Sequence, residues 1–359
     1  MKKIGLFIDT FHPGGAERVC INYANLLVNN NYSVTIIVYN KNKKFYLDEL
    51  DSRVTIISLD CKNGIETLFK FIKTKNKNNY FYELDLLIAF NHQIALILQI
   101  LKFFRKINQK IIARNVNNLS FDLKSNNSSY IKKFITNLLM KVIYNKVGCY
   151  IAQCESMKKD MINNFNIPQE NITVIKNPTS IIFRKNNNMK KNDLLFVGRL
   201  KKQKGIDNLI LILDKLNNEK ISIKIKIIGK GELKEELLQA LDNMKYIEYS
   251  YHDEIPPREL VRHYNESKIT ILTSYYEGYP NVLVESLASG TPIISFDCKS
   301  GPSEIIKNNK NGFLIPCYDC IEFSQKIKQM LLHPLEITDI SCNEESLKRL
   351  TNLLENKND

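Results

Sequence analysis

Short apolar runs alternate with helical segments along the whole chain, and no other feature limits its possible folds as strongly. Residues 3–9, 33–39, 54–59, 85–90, 110–114, 150–153 and 172–175 are brief runs rich in Ile, Val and Tyr, with helical patterns between most of them. Buried strands joined through helices are the signature of a parallel sheet covered on both faces. The pattern begins afresh at 193–197 and continues at 222–228, 246–249, 269–272 and 292–296. The polar run 184–193 separates the two sets. The expected organisation is a first α/β domain over 1–184, a linker at 185–192 and a second domain over 193–335. A helical tail at 336–359 would be free to pack back on the first domain.

Two such domains need two cores, and 359 residues with 44% apolar content supply them. No stretch approaches the roughly 18 apolar residues of a membrane span. The longest apolar run, 94–101, contains Gln99 and is followed by Lys102. Asp9 interrupts the short apolar N-terminus, which therefore does not read as a signal peptide. Eight cysteines without paired spacing fit a reducing compartment, so a cytoplasmic protein is expected. Cys317 and Cys320 form one C-x-x-C, but without a second pair or clustered His they do not make a zinc site.

Charge is distributed unevenly. Residues 1–190 hold 28 basic and 13 acidic side chains, a balance of +15; residues 191–359 hold 23 and 25, a balance of −2. The two halves are thus expected to face different partners. Residues 130–146 carry a helical apolar pattern, Ile131, Phe134, Ile135, Leu138, Leu139, Val142 and Ile143, accompanied by Lys132, Lys133, Lys141 and Lys146. Such a helix suits an anionic membrane surface, and equally a core position with its lysines reaching outward. The basic first half favours the membrane. A non-enzymatic scaffold could also use that basic surface, but the chain lacks a basic-aromatic RNA motif, and nucleic acid is not an expected partner.

The chemistry-bearing residues gather just beyond expected strand ends, where open parallel sheets bind ligands. Gly14-Gly15 follows the first strand of the first half. In the second half, strand 193–197 runs into Gly198-Arg199, with Lys204-Gly205 at the mouth of an amphipathic helix. Glu277 and Glu285 stand eight residues apart around Gly278-Tyr279-Pro280-Asn281-Val282. On a loop turning into a helix, one carboxylate is expected at the lip and the other about two turns down, near one helix face. The amides around Asn281–Leu283 would lie between them, able to receive a phosphate. Gly229-Lys230-Gly231 invites a dinucleotide reading, but Lys234 stands where that fingerprint needs a small residue, so a turn glycine pair is sufficient.

In order and spacing, these elements resemble the retaining glycosyltransferases of family 4, built on the two-domain GT-B architecture. The resemblance covers nearly the whole chain and implies a site in the cleft between two Rossmann-like domains. It implies that Arg199 and Lys204 bind the diphosphate of a nucleotide-sugar donor, that Glu277 lies near the donor sugar, and that Glu285 receives the ribose hydroxyls. These assignments agree with the chemistry of the side chains. Further donor contacts are expected at Gly15, Gly198 and Gly229, at Gly278, Tyr279, Pro280, Asn281, Val282 and Leu283, and near the base at Tyr249. The usual Gly of that third strand is not evident, Ser250 or Tyr251 standing there, so recognition of uracil rests on the resemblance alone.

Many relatives carry a His after the fifth N-terminal strand, whereas this chain has Arg114-Asn115, similar to relatives that build surface polysaccharides on lipid carriers. Arg114 and Asn115, with Gly14 and His12, are the candidates for the acceptor side; His92, beginning a helix, is more easily read as capping or packing. No Asp-x-Asp motif is present, so neither a metal nor a cofactor is expected. The reading is a retaining transferase that moves a sugar from a UDP-sugar to a polysaccharide or lipid-linked acceptor at the inner membrane face. A GT-B nucleotide-sugar 2-epimerase is the nearest alternative.

Overall fold

The computed structural model describes residues 1–12, 14–40, 45–73, 81–125, 136, 138–186, 188–337 and 343–355. The chain divides into two compact units, Met1–Pro178 with Asn343–Asp359, and Thr179–Cys342.

The first unit is a seven-stranded sheet: β1 (Lys3–Ile8), β2 (Ser33–Val38), β3 (Thr55–Ser58), β4 (Leu86–Ala89), β5 (Lys110–Arg114), β6 (Tyr150–Ala152) and β7 (Ile172–Val174). Its order is β3-β2-β1-β4-β5-β6-β7, with every pairing parallel. Helices α1 (Gly15–Val28), α2 (Gly64–Lys73), α3 (His92–Phe103), α4 (Leu119–Ser125) and α5 (Glu155–Phe165) connect the strands. β4 and β5 are almost wholly buried, as strands covered on both faces must be. From β1 the chain steps outward to β2 and β3, then returns to β4 on the other side of β1. The connection order therefore reverses between β1 and β4.

The second unit repeats the scheme with β8 (Asn192–Val197), β9 (Ile223–Ile228), β10 (Ile247–His252), β11 (Ser267–Leu272), β12 (Ile293–Phe296) and β13 (Gly312–Ile315), in the order β10-β9-β8-β11-β12-β13. All pairings are again parallel. Its helices are α6 (Ile206–Asn218), α7 (Lys234–Asp242), α8 (Pro257–Asn265), α9 (Asn281–Ala288), α10 (Pro302–Ile305) and α11 (Cys320–Leu332). In α6 the apolar residues Ile206, Leu209, Ile212, Leu213 and Leu216 recur at helical spacing and all are buried, each contributing about 1.5–3 kcal/mol of hydrophobic stabilisation. Here the connection order reverses between β8 and β11.

Twelve of the strands fall where the apolar runs lie, with ends shifted by up to three residues. β13 was not expected: Gly312-Phe313-Leu314-Ile315 is four residues long, begins with a glycine and follows Asn311, so by itself it resembles a turn. Its pairing with β12 at the sheet edge makes it a strand.

The polar run expected as a linker is tied to the second unit. Asn186 N donates to Asn265 Oδ1 at 2.8 Å, Lys190 Nζ to Ser267 O at 2.8 Å, and Lys191 N to Glu266 O at 2.7 Å. The last helix, α12 (Asn343–Glu355), belongs to the first unit: Leu350 and Leu354 enter that unit's core, and Ser346 Oγ donates to Lys176 O at 3.0 Å. Of the proposed membrane helix, residues 130–135 and 137 lie outside the described residues; Leu138 and Val142 are exposed and Met140 is buried. No helix among the described residues is long and apolar enough to cross a membrane.

Candidate functional site

The loops that follow β8 and β11 converge where the second sheet's connection order reverses, the position at which open α/β sheets bind ligands. Backbone packing sets their approach. Gly229, at φ +146°, lets the loop after β9 pass so close to the loop after β8 that a Cβ there would lie 1.8 Å from Gly198 O. Gly198 N then donates to Ile228 O at 3.0 Å and Leu200 N to Lys230 O at 2.9 Å, fixing the segment that carries Arg199. Gly205 plays the same part toward the loop after β11. Its φ is +62°, and a Cβ would lie 2.0 Å from Thr273 O.

That approach joins the charged groups. Lys204 Nζ lies 2.6 Å from Glu277 Oε1, with the two side chains 13% and 6% exposed. Ser274 Oγ donates to the same oxygen at 2.5 Å, and Thr273 Oγ1 donates to Lys204 O at 2.9 Å. Arg199 is exposed; its Nη2 donates to Gln203 Oε1 at 3.0 Å, and Gln203 Nε2 donates to Tyr276 O at 3.1 Å. Arg199, Lys204 and Glu277 are thus brought together through Gln203 and Ser274, neither of which the sequence reading singled out. Gln203 stands four residues after Arg199 and Ser274 three before Glu277, a spacing that could have suggested both.

Glu285 lies one turn inside α9, 5% exposed, and accepts a hydrogen bond from Tyr264 Oη at 3.0 Å. Gly278, Tyr279 and Pro280 form the buried turn before α9, and Asn281 and Val282 are half-buried at its start. Leu283 differs from its expected role. Its amide donates to Pro280 O at 3.1 Å and its side chain is core, packed with Leu272, Leu287 and Ile293. Tyr249 is also displaced from the group: β10 continues to His252, so Tyr249 sits in mid-strand, and its hydroxyl donates to Asp242 Oδ1 at 2.6 Å. Tyr251 instead reaches the glycine loop, donating to Gly229 O at 2.9 Å. Cys320 is buried where α11 begins, beside the helix cap Asp319, and Cys317 is exposed.

In the first unit, Gly14 caps α1 and is braced by Tyr46, whose hydroxyl accepts from Gly14 N at 3.2 Å and donates to Gly14 O at 3.1 Å. Gly15 and His12 are exposed beside it. Arg114 and Asn115 are not surface residues, being 1% and 2% exposed. Arg114 donates from Nη2 to Asn177 Oδ1 at 2.6 Å, and its guanidinium lies 5.0 Å from the Phe90 ring centroid. Asn115 accepts from Tyr144 Oη at 2.7 Å and donates to Met161 Sδ at 3.3 Å. Both side chains end β5 by turning into the core. His92 opens α3, and burial lowers its pKa to about 4, so its imidazole is neutral at pH 7.

Residues 178–349 match the family described as glycosyl transferases group 1, and residues 13–181 match glycosyltransferase family 4. The chain is a family 4 glycosyltransferase. This glycosyltransferase is 29% identical over 335 residues to the amylovoran biosynthesis glycosyltransferase AmsD of Erwinia amylovora, covering 92% of this chain and 90% of that one. It is 26% identical over 346 residues to the N-acetylgalactosamine-N,N'-diacetylbacillosaminyl-diphospho-undecaprenol 4-alpha-N-acetylgalactosaminyltransferase of Campylobacter jejuni, covering 92% and 90%. Among solved structures it is similar to Anabaena HepE in complex with UDP-glucose, with a TM-score of 0.73 at 15% identity over 99% of this chain and 98% of that one. That likeness shows the fold: the two parallel sheets of this glycosyltransferase are those of the GT-B architecture.

Proposed function

We propose that this glycosyltransferase moves a sugar from a UDP-sugar to a polysaccharide or lipid-linked acceptor, with retention at the anomeric carbon and without a metal or other cofactor. The observation that carries the reading is the buried Lys204–Glu277–Ser274 cluster beside Arg199 where β8 and β11 end. Breaking the bond between the sugar and the diphosphate leaves positive charge on the anomeric carbon and negative charge on the leaving group. Arg199, exposed and tethered by Gln203, and Lys204 would meet the diphosphate, with the N-terminal dipole of α9 adding to them. Glu277, fixed by Lys204 and Ser274, would face the developing positive charge. Glu285 would receive the ribose hydroxyls. The new bond from the anomeric carbon to the acceptor oxygen would form on the face the phosphate leaves, and the departing phosphate oxygen would take the acceptor's proton.

The named activities of the Erwinia and Campylobacter relatives support a surface-polysaccharide or lipid-linked acceptor, and the UDP-glucose in complex with Anabaena HepE supports a uridine donor. Attachment at the inner membrane face is part of the proposal. The basic first half supports it, as do Ile65 and Phe69 on α2 and Phe103 and Phe104 at the end of α3, all exposed, with exposed Lys62, Lys73 and Arg105 nearby. Incubation with a panel of UDP-sugars and octyl glycosides, read by mass spectrometry, should give a product one sugar longer with the donor's anomeric configuration. Release of an epimerised UDP-sugar from donor alone would replace this reading with that of a 2-epimerase. Absence of sedimentation with phosphatidylglycerol vesicles at low salt would remove the membrane.

A further inference from the structure

The first sheet also has a place where its connection order reverses, between β1 and β4, and one polar pair bridges it. Asp9 follows β1 and Asn91 follows β4, and Asn91 Nδ2 donates to Asp9 Oδ2 at 2.9 Å. The orientation of the Asn91 amide is set by its other end: Oδ1 caps α3, accepting from Ile94 N at 2.7 Å. One side chain thereby fixes both a helix start and a carboxylate. The other Asp9 oxygen has no hydrogen-bond partner among the described residues, and no Lys, Arg or His there forms an ion pair with Asp9.

A half-buried carboxylate without a cation is costly, and burial pushes the Asp9 carboxyl above its usual range against the opposing pull of Asn91. Folding alone does not require it, because Asn91 already caps α3 with its own oxygen. The arrangement resembles that of the second unit, where Glu277 after β11 is held across the corresponding reversal by Lys204 after β8. Its chemistry differs, since a carboxylate held by a neutral amide repels phosphate and accepts hydroxyl hydrogens. The Gly14-Gly15 loop leaves the same end of β1, and His92, neutral beside Asn91, adds a second uncharged polar group.

We propose that Asp9, positioned by Asn91, is a binding residue for a hydroxyl of the acceptor sugar. The inference rests on the glycosyltransferase reading and adds to it a recognition group that neither the motifs nor the comparisons assign. Transfer from a UDP-sugar to the best octyl glycoside of the panel provides the test, with acceptor and donor varied separately. Asp9→Asn is close in shape and removes the charge, so the acceptor KM should rise about 10- to 100-fold, while donor affinity read by thermal shift stays within about twofold. Asn91→Ser keeps a helix cap and drops the amide that holds Asp9; its acceptor KM should rise by a smaller factor in the same direction. An unchanged acceptor KM in Asp9→Asn, or an equal loss of donor affinity, overturns the assignment while the transferase reading stands. A wild-type protein that transfers to no octyl glycoside and does not hydrolyse any UDP-sugar overturns both.

Discussion

Lys204 and Glu277, 73 positions apart in the chain, form an ion pair of 2.6 Å that is nearly closed to solvent. Breaking a buried pair leaves a charge uncompensated, typically costing about 3–5 kcal/mol, whereas truncating an exposed side chain usually changes stability by about 0.5 kcal/mol or less. Lys204→Ala should therefore lower the unfolding free energy measurably in urea, and Arg199→Ala should not. Both should lose about 10² to 10³ in transfer rate if they meet the leaving diphosphate. Near wild-type turnover in either variant would remove that residue from the mechanism.

Gly229 makes a backbone prediction. With φ at +146° and Gly198 O 1.8 Å from the position of an added Cβ, Gly229→Ala can be accommodated only by moving the loop after β8. Backbone strain of this kind costs about 1–3 kcal/mol. Urea denaturation should show at least that loss, and transfer should fall as well because the displaced loop carries Arg199. A variant as stable and active as wild type would contradict the close approach.

His263 should make the second unit sensitive to acid. It is 3% exposed, and burial, then the positive charges of Lys226 and Arg262, lower its pKa to about 4. The unfolded chain, with an ordinary His, takes up the proton near pH 6.5, and the folded chain resists until about pH 4. Stability from this residue is thus fully present above the unfolded pKa and is lost as pH falls through the interval between the two. Between about pH 7.5 and about pH 5 the loss should be about 2 kcal/mol. His92, shifted in the same direction, gives the first unit the same trend. Denaturation of His263→Gln across that range should give a flatter profile; an equally steep one would exclude His263 as a source.

Tyr264 donates to Glu285 from a fully buried ring and is expected to act through that carboxylate. Tyr264→Phe removes only the hydroxyl. With an ordinary UDP-sugar its donor KM should rise about 10- to 100-fold, the effect of one hydrogen bond to a charged group. With donors lacking the ribose hydroxyls the difference from wild type should disappear. A penalty that persists with those donors would assign Tyr264 to packing.

The elements of this fold were legible because burial on both faces of a parallel sheet imposes a local apolar pattern, and twelve strands carry it. β13 does not, since its identity depends on β12 beside it. The same division applies to the side chains. That Arg199, Lys204 and Glu277 lie beyond strand ends follows from strand lengths, so their place in the sheet could be read locally. Whether Arg114 ends β5 facing solvent or turns inward onto Phe90 and Asn177 depends on residues 24 and 63 positions away. Tyr249 was misplaced for a related reason: three more residues of β10 moved the strand's carboxyl end past it. Asp9 passed as an interruption of an apolar run, because the sequence around it holds no trace of Asn91.

The last helix has a consequence for how the molecule is made. Leu350 and Leu354 of α12 complete the core of the first unit, yet they leave the ribosome after all of the second. The amino-terminal sheet must therefore wait, one side of its core unfilled, while about 160 residues of another body are synthesised. Its final closure awaits the synthesis of α12, and loss of that helix should be felt by the half of the protein that was translated first.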